Sequence, residues 1–102
     1  MTVQIIKENN TVRLIIEGEI KESLASEMKE KFNQLSLPAI NEVIFDFKGV
    51  THIGSAGIGK LLLFYKTVTV NDKKIRIENV SPAINDLFKL LKLDSLFTIT
   101  AR

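Results

Sequence analysis

No cysteine occurs anywhere in the 102 residues, so neither a disulfide nor a thiolate metal site can form, and a reducing compartment fits the composition. Histidine occurs once. His52 has no second histidine and no acidic neighbour in sequence, so neither a zinc site nor a Ser-His-Asp relay is argued from it, and a loop or core position is expected. Glycine (five) and proline (two) are too scarce for a disordered or low-complexity tail. Long apolar runs are missing too. The longest, Leu61 to Tyr65, is far short of the roughly 20 residues a membrane helix needs, and the opening "MTVQIIKENN" has no basic segment followed by a long apolar stretch. A cytoplasmic chain that does not insert into membranes is expected. Charge of one sign is also lacking: 14 basic residues against 12 acidic leave +2, with the signs interspersed, too weak a field for nucleic acid.

What is present is the balance of a soluble folded module, 45% hydrophobic and 25% charged, in a length that supports one domain over residues 1–102. "VQIIK" and "VRLIIEG" are β-branched runs around "ENN", where asparagine tolerates the positive φ of a tight turn, so the chain opens with a hairpin. Leu24, Met28, Phe32 and Leu35 recur at helical spacing from Ser23 to Leu35, ended before Pro38. "EVIFDF", apolar except at Asp46, predicts a central strand covered on both faces, followed by a loop "KGVTHIG". A helix from about Ser55 to Thr69 is expected to turn Ile58, Leu61, Leu62, Tyr65 and Val68 inward, leaving Leu63 outside with Gly59, Lys60, Lys66 and Thr67. "VNDKK" breaks it and "IRI" makes a short strand. "SPAINDLFKLL" carries Ser81 at the N-cap, Pro82 in the first turn and Ile84, Leu87, Phe88 and Leu91 on one face; "LFTIT" closes the chain as a strand. The order β-β-α-β-α-β-α-β predicts an α/β fold: a mixed, mostly parallel sheet of four or five strands with an N-terminal hairpin and helices packed mainly on one face.

Beyond the carboxyl end of the central strand lies "GSAGIGKLL", in which Gly54 and Gly59-Lys60 stand at the G-x-x-x-x-G-K spacing of phosphate-binding loops. That loop needs a hydroxyl directly after the lysine to hold magnesium, and Leu61 occupies the position. It should also follow its strand at once, whereas six residues separate Phe47 from Gly54. A nucleotide hydrolase is therefore only a distant alternative, and no enzyme activity, cofactor or metal is expected.

The longer stretch "VIFDFKGVTHIGSAGIGKLLLFYK" resembles the STAS domain, the family of bacterial anti-sigma factor antagonists, in its pattern of hydrophobic-Asp-hydrophobic, Gly-Val-Thr and then Asp-Ser-x-Gly-Leu-Gly. "IIEGEI" and "IENVSPAINDLFKLLKLDSLF" extend the resemblance over nearly the whole chain. It implies a regulatory binding module whose serine is phosphorylated by an anti-sigma factor that is itself a serine kinase, with a serine phosphatase as a further candidate partner. The unphosphorylated form binds the kinase and frees a sigma factor; the phosphorylated form lets go. The serine corresponds to Ser55, the two glycines to Gly57 and Gly59, and the strand aspartate to Asp46. Two positions depart from the pattern: Gly54 replaces the acidic residue before the serine, and Lys21 in "GEIKES" replaces an aspartate. A scaffold or transporter-accessory STAS module without phosphorylation is the alternative, and self-association is left open.

The partner-binding set read from this segment is Gly54, Ser55, Gly57, Gly59, Lys60 and Leu63. Each also has a plainer reading. Ser55 suits the N-cap of its helix, the three glycines suit tight turning and close helix–sheet packing, Lys60 suits a solvated outer face, and Leu63 is a lone exposed leucine able to anchor a partner. Asp46 is expected to accept N–H groups at the strand end and so to shape the Ser55 loop.

Overall fold

The computed structural model describes residues 2–102. β1 (Thr2–Glu8) and β2 (Thr11–Ile20) form the antiparallel hairpin, turned where Asn9 adopts φ 55°. There follow α1 (Glu22–Asn33), β3 (Glu42–Ile53), α2 (Ser55–Val70), β4 (Lys74–Val80), α3 (Pro82–Leu90) and β5 (Thr98–Ala101), with short 3-10 turns at Leu37–Ala39 and Leu93–Ser95. The five strands lie side by side in chain order, and from β2 onward each pairs in parallel with the next.

That order fixes where the helices go. A chain that advances one strand at a time in one direction, with crossovers of one hand, lays every helix on the same face of the sheet. The core is accordingly one cluster between sheet and helices: Val12, Leu14, Ile16, Val43, Phe45, Phe47, Ile75 and Ile77 from the strands meet Leu24, Met28 and Phe32 of α1, Leu61, Phe64 and Val68 of α2, and Ile84 and Phe88 of α3. Phe64 is its keystone. Its ring stacks on Phe32 with centroids 4.4 Å apart and on Phe45 at 5.4 Å, so one side chain ties α2 to both α1 and β3.

Three expectations need correcting. The central strand is covered by helices on one face only. Val43, Phe45 and Phe47 point to the helices, whereas Ile44 and Asp46, alternating with them, lie on the open face under neighbouring strand side chains. Next, the residues read as a loop after Phe47 continue β3 as far as Ile53, because Gly49 to Ile53 pair with Glu17 to Ile20 of β2. The register slips between Ile15 and Glu17 and again between Gly18 and Glu19, and these bulges hide the period-2 alternation that marks a strand. Finally, the buried face of α2 is Gly57, Leu61, Phe64 and Val68; Ile58 and Tyr65 sit at its flank and Leu62 is 39% exposed. Leu61 to Tyr65 are consecutive apolar residues, so periodicity alone could not orient them.

Gly57 sets how closely α2 lies on the sheet. A Cβ there would stand 2.5 Å from Cγ2 of Ile20 and 2.7 Å from Cγ1 of Ile53, so the helix start rests directly on the ends of β2 and β3. Among the described residues no helix is long and apolar enough to cross a membrane.

Candidate functional site

β2 and β3 end level with one another. Ile20 pairs with Ile53, and the Gly54 N–H donates to the Ile20 carbonyl at 2.9 Å. The next residues open the two helices, Lys21 capping α1 and Gly54 capping α2, so the N-termini of α1 and α2 stand side by side. Gly54 has extended backbone (φ −100°, ψ −176°), which any residue adopts, and its carbonyl accepts the first helical bond, from the Ile58 N–H at 3.1 Å. The N-cap expected at Ser55 is therefore Gly54. Ser55 is the first helical residue, and its exposed hydroxyl has no hydrogen-bond partner among the described residues. The N–H groups of residues 55–57 precede the first helical bond and give this end of α2 its partial positive charge.

Gly54 and Ser55 line two depressions. One, a hollow of about 200 Å³, is completed by Lys21, Glu22 and Ala56. The other is an apolar groove of about 390 Å³ between α2 and α3, lined by Ile53, Ile58, Leu87 and Leu91. Those four are functional candidates that the sequence reading missed, because Ile58, Leu87 and Leu91 were assigned inward on apolar periodicity. Beside the hollow, Lys21 Nζ lies 3.4 Å from Glu19 Oε2, and the other oxygen of that carboxylate lies 3.4 Å from His52 Nδ1. His52 is thus an exposed strand-end residue with an acidic neighbour across the sheet, not a loop or core histidine.

The rest of the predicted set divides by helix geometry. At about 100° per residue, Gly59 and Leu63 lie about 40° and 80° round α2 from Ser55, whereas Lys60 lies about 140° away and Gly57 faces the sheet. Gly59 and Leu63 are exposed and share the outward surface with Ser55; Lys60 is half-buried on the flank. A Cβ at Gly59 would meet nothing within 4 Å and one at Gly54 only the Ile20 carbonyl at 3.8 Å, so close packing explains Gly57 alone. The phosphate-loop alternative loses its geometry as well. Residues 55–60, which would have to wrap a phosphate as open loop, are helix.

Asp46 belongs elsewhere. On the open face of the sheet its Oδ1 accepts the Lys48 N–H at 3.0 Å and the Asn79 side-chain amide at 3.0 Å, and its Oδ2 pairs with Arg13 Nη1 at 3.1 Å. Arg13 continues to Glu78 at 2.9 Å, and Arg76 joins Glu78 and Glu42. Asn79 reaches Asp46 from an unusual φ of 60° within β4. None of these bonds goes to residues 49–55, so instead of shaping the Ser55 turn Asp46 cross-links β2, β3 and β4. The expected backbone N–H does come, from Lys48, but β3 continues to Ile53 and carries Ser55 well away along the strand.

Burial pushes the Asp46 carboxyl up, but the hydrogen bonds from Asn79 and Lys48 and the charge of Arg13 outweigh it, and its pKa falls below the ordinary value of 3.8. A carboxyl depressed in the folded state contributes stability that is complete above its unfolded pKa and is lost as pH falls through the folded one. Urea melts should therefore show wild-type stability falling below about pH 4 more steeply than that of Asp46→Asn. Parallel curves for the two proteins would contradict the assignment.

Comparison with known proteins places this geometry. An anti-sigma factor antagonist from Mycobacterium paratuberculosis superposes with a TM-score of 0.86 at 18% identity, covering 99% of this chain and 86% of that one. The Bacillus cell fate determinant SpoIIAA in its phosphorylated form gives 0.77 at 18%, covering 99% and 92%. A sulfate transporter family protein from Wolinella succinogenes gives 0.80 at 13%, covering 93% and 80%. At these identities the likeness establishes the fold, and the STAS domain profile matches residues 2–102. The sheet in chain order, the single-sided helix layer and the full-length match together make this chain a member of the STAS domain family.

Proposed function

We propose that the chain is a bacterial, cytoplasmic anti-sigma factor antagonist: a one-domain, non-enzymatic module that regulates transcription by binding an anti-sigma factor serine kinase, and is switched by phosphorylation of Ser55 and reset by a serine phosphatase. The observation that carries the reading is Ser55 itself, an exposed hydroxyl on the first turn of α2 without a hydrogen-bond partner among the described residues, flanked by the hollow that Lys21 and Glu22 line on one side and by an apolar groove on the other. Among the described residues no base is hydrogen-bonded to it, which suits a hydroxyl that receives a group another protein delivers. Phosphate there would meet unpaired N–H groups and the positive helix end, which the fold tolerates, while a charge of about −1.5 to −2 would disrupt any surface docked against a neutral hydroxyl.

A second reading, a transporter-accessory or scaffold STAS module without phosphorylation, draws support from Gly54 and Lys21, which leave no carboxylate at the two positions acidic in the family pattern. Binding of variants to a co-encoded kinase separates the two. Ser55→Asp should bind at least about tenfold more weakly, a loss of about 1.4 kcal/mol or more, while Ser55→Ala should bind like wild type and resist release by ATP. Both should keep their stability within about 0.5 kcal/mol, because the hydroxyl makes no cap bond. Equal binding by all three proteins would favour the scaffold.

A further inference from the structure

Resting on the reading of Ser55 as the phosphorylated group, we infer that Lys21 is the internal counter-ion of that phosphate, leaving Glu19 to pair with it when Ser55 is modified. The geometry brings the two together. Ile20 and Ile53 are partners at the ends of adjacent parallel strands, and the next residues, Lys21 and Gly54, cap the two helices that start there, so the openings of α1 and α2 are neighbours. Lys21 and Ser55 line the same hollow.

The present partner of Lys21 holds it weakly. Its side chain is 72% exposed and its Nζ lies 3.4 Å from Glu19 Oε2, a surface pair of small net worth. A phosphoserine dianion offers three oxygens and nearly twice the charge, in hydrogen bonds strengthened by that charge. Glu19 keeps its contact with His52. The other charged groups around the hollow are Glu22, on the first turn of α1, and Glu19 and His52 at the strand ends; the first turn of α2 carries no acidic residue. Glu22 and Glu19 repel a phosphate, so Lys21 is the side chain that offsets them. The functional consequence is quantitative: with Lys21 engaged, the surface shown to a docked partner carries about one unit less negative charge than a bare phosphoserine.

The test needs no kinase. Phosphoserine is installed at position 55 by amber suppression, and the second ionisation of the phosphate is followed by 31P NMR in the otherwise wild-type chain and in the Lys21→Gln, Lys21→Arg and Lys29→Gln backgrounds. Lys21→Gln should raise that pKa by about 0.15–0.7 units, the range of an exposed ion pair, while Lys21→Arg and Lys29→Gln should leave it in place. An unchanged value in Lys21→Gln, or an equal rise in Lys29→Gln, would overturn the inference. Because the phosphate is introduced directly, failure of a kinase to modify Ser55 would sink the proposed function without affecting this result.

Discussion

Phe64→Ala should destabilise the protein by about 3–5 kcal/mol, the range for deleting a fully buried phenyl ring. The ring is 1% exposed and lies between Phe32 of α1 and Phe45 of β3, so its removal opens a cavity where three elements meet. None of the three can close the gap alone. α1 packs against β1 and β2 with Leu24 and Met28 buried, and α2 keeps Leu61 and Val68 buried on either side of the vacated position. A domain of this size has a total stability of roughly 5–15 kcal/mol, so the variant should show a much lower urea midpoint and a sizeable unfolded population at 37 °C. Leu63→Ala, one residue away but on the exposed side of α2, should change stability by no more than about 0.5 kcal/mol. Similar losses in the two variants would contradict the orientation of α2.

Gly57→Val should also be strongly destabilising, by about 3 kcal/mol, and for the opposite reason: it adds atoms where none fit. The first of them would lie 2.5 Å from Ile20 and 2.7 Å from Ile53, and Ile20 is fully buried. Relief requires lifting the start of α2 off the strand ends, which displaces Gly54 and Ser55. Gly59→Ala supplies the control. Its methyl group meets open space, so it should gain up to about 1 kcal/mol from the better helix propensity of alanine. Equilibrium unfolding of both variants, with near-ultraviolet circular dichroism to report packing around the aromatic cluster, distinguishes the two glycines. Comparable effects at both positions would show that α2 does not rest on the sheet at Gly57.

The contrast between these glycines marks where sequence reading ran out. Element type and order were legible because the hairpin, the helical spacing of Leu24, Met28 and Phe32, and the Ser81-Pro82 start of α3 are local signals, and the structure agrees with each of them. Ser81 does cap α3, accepting the Ile84 N–H at 3.4 Å. The end of β3 was hidden because two bulges break its alternation, and that concealed the single-residue link which makes Gly54, not Ser55, the cap. The facing of α2 was hidden by consecutive apolar residues that satisfy more than one face. The partners of Asp46 were hidden because Arg13 and Asn79 are each 33 positions distant in the chain and meet it only through strand pairing. One signal did point there: Arg13 stands between Val12 and Leu14, so on a half-buried strand it must face away from the core. At the Ser55 site, the motif located the serine, while the hollow and the groove beside it needed α1 and α3 in place.

On the proposed function, Ser55 is the residue a kinase modifies to release this protein. The direct measurement is to incubate the wild-type chain with a candidate anti-sigma factor kinase encoded beside it and ATP, map phosphorylated residues by mass spectrometry, and follow the complex by size-exclusion chromatography, with Gly54→Asp run in parallel. Phosphate should be found on Ser55 alone in both proteins, with loss of the complex in step with modification. Modification only in Gly54→Asp, or a complex that persists with Ser55 unmodified, would contradict it.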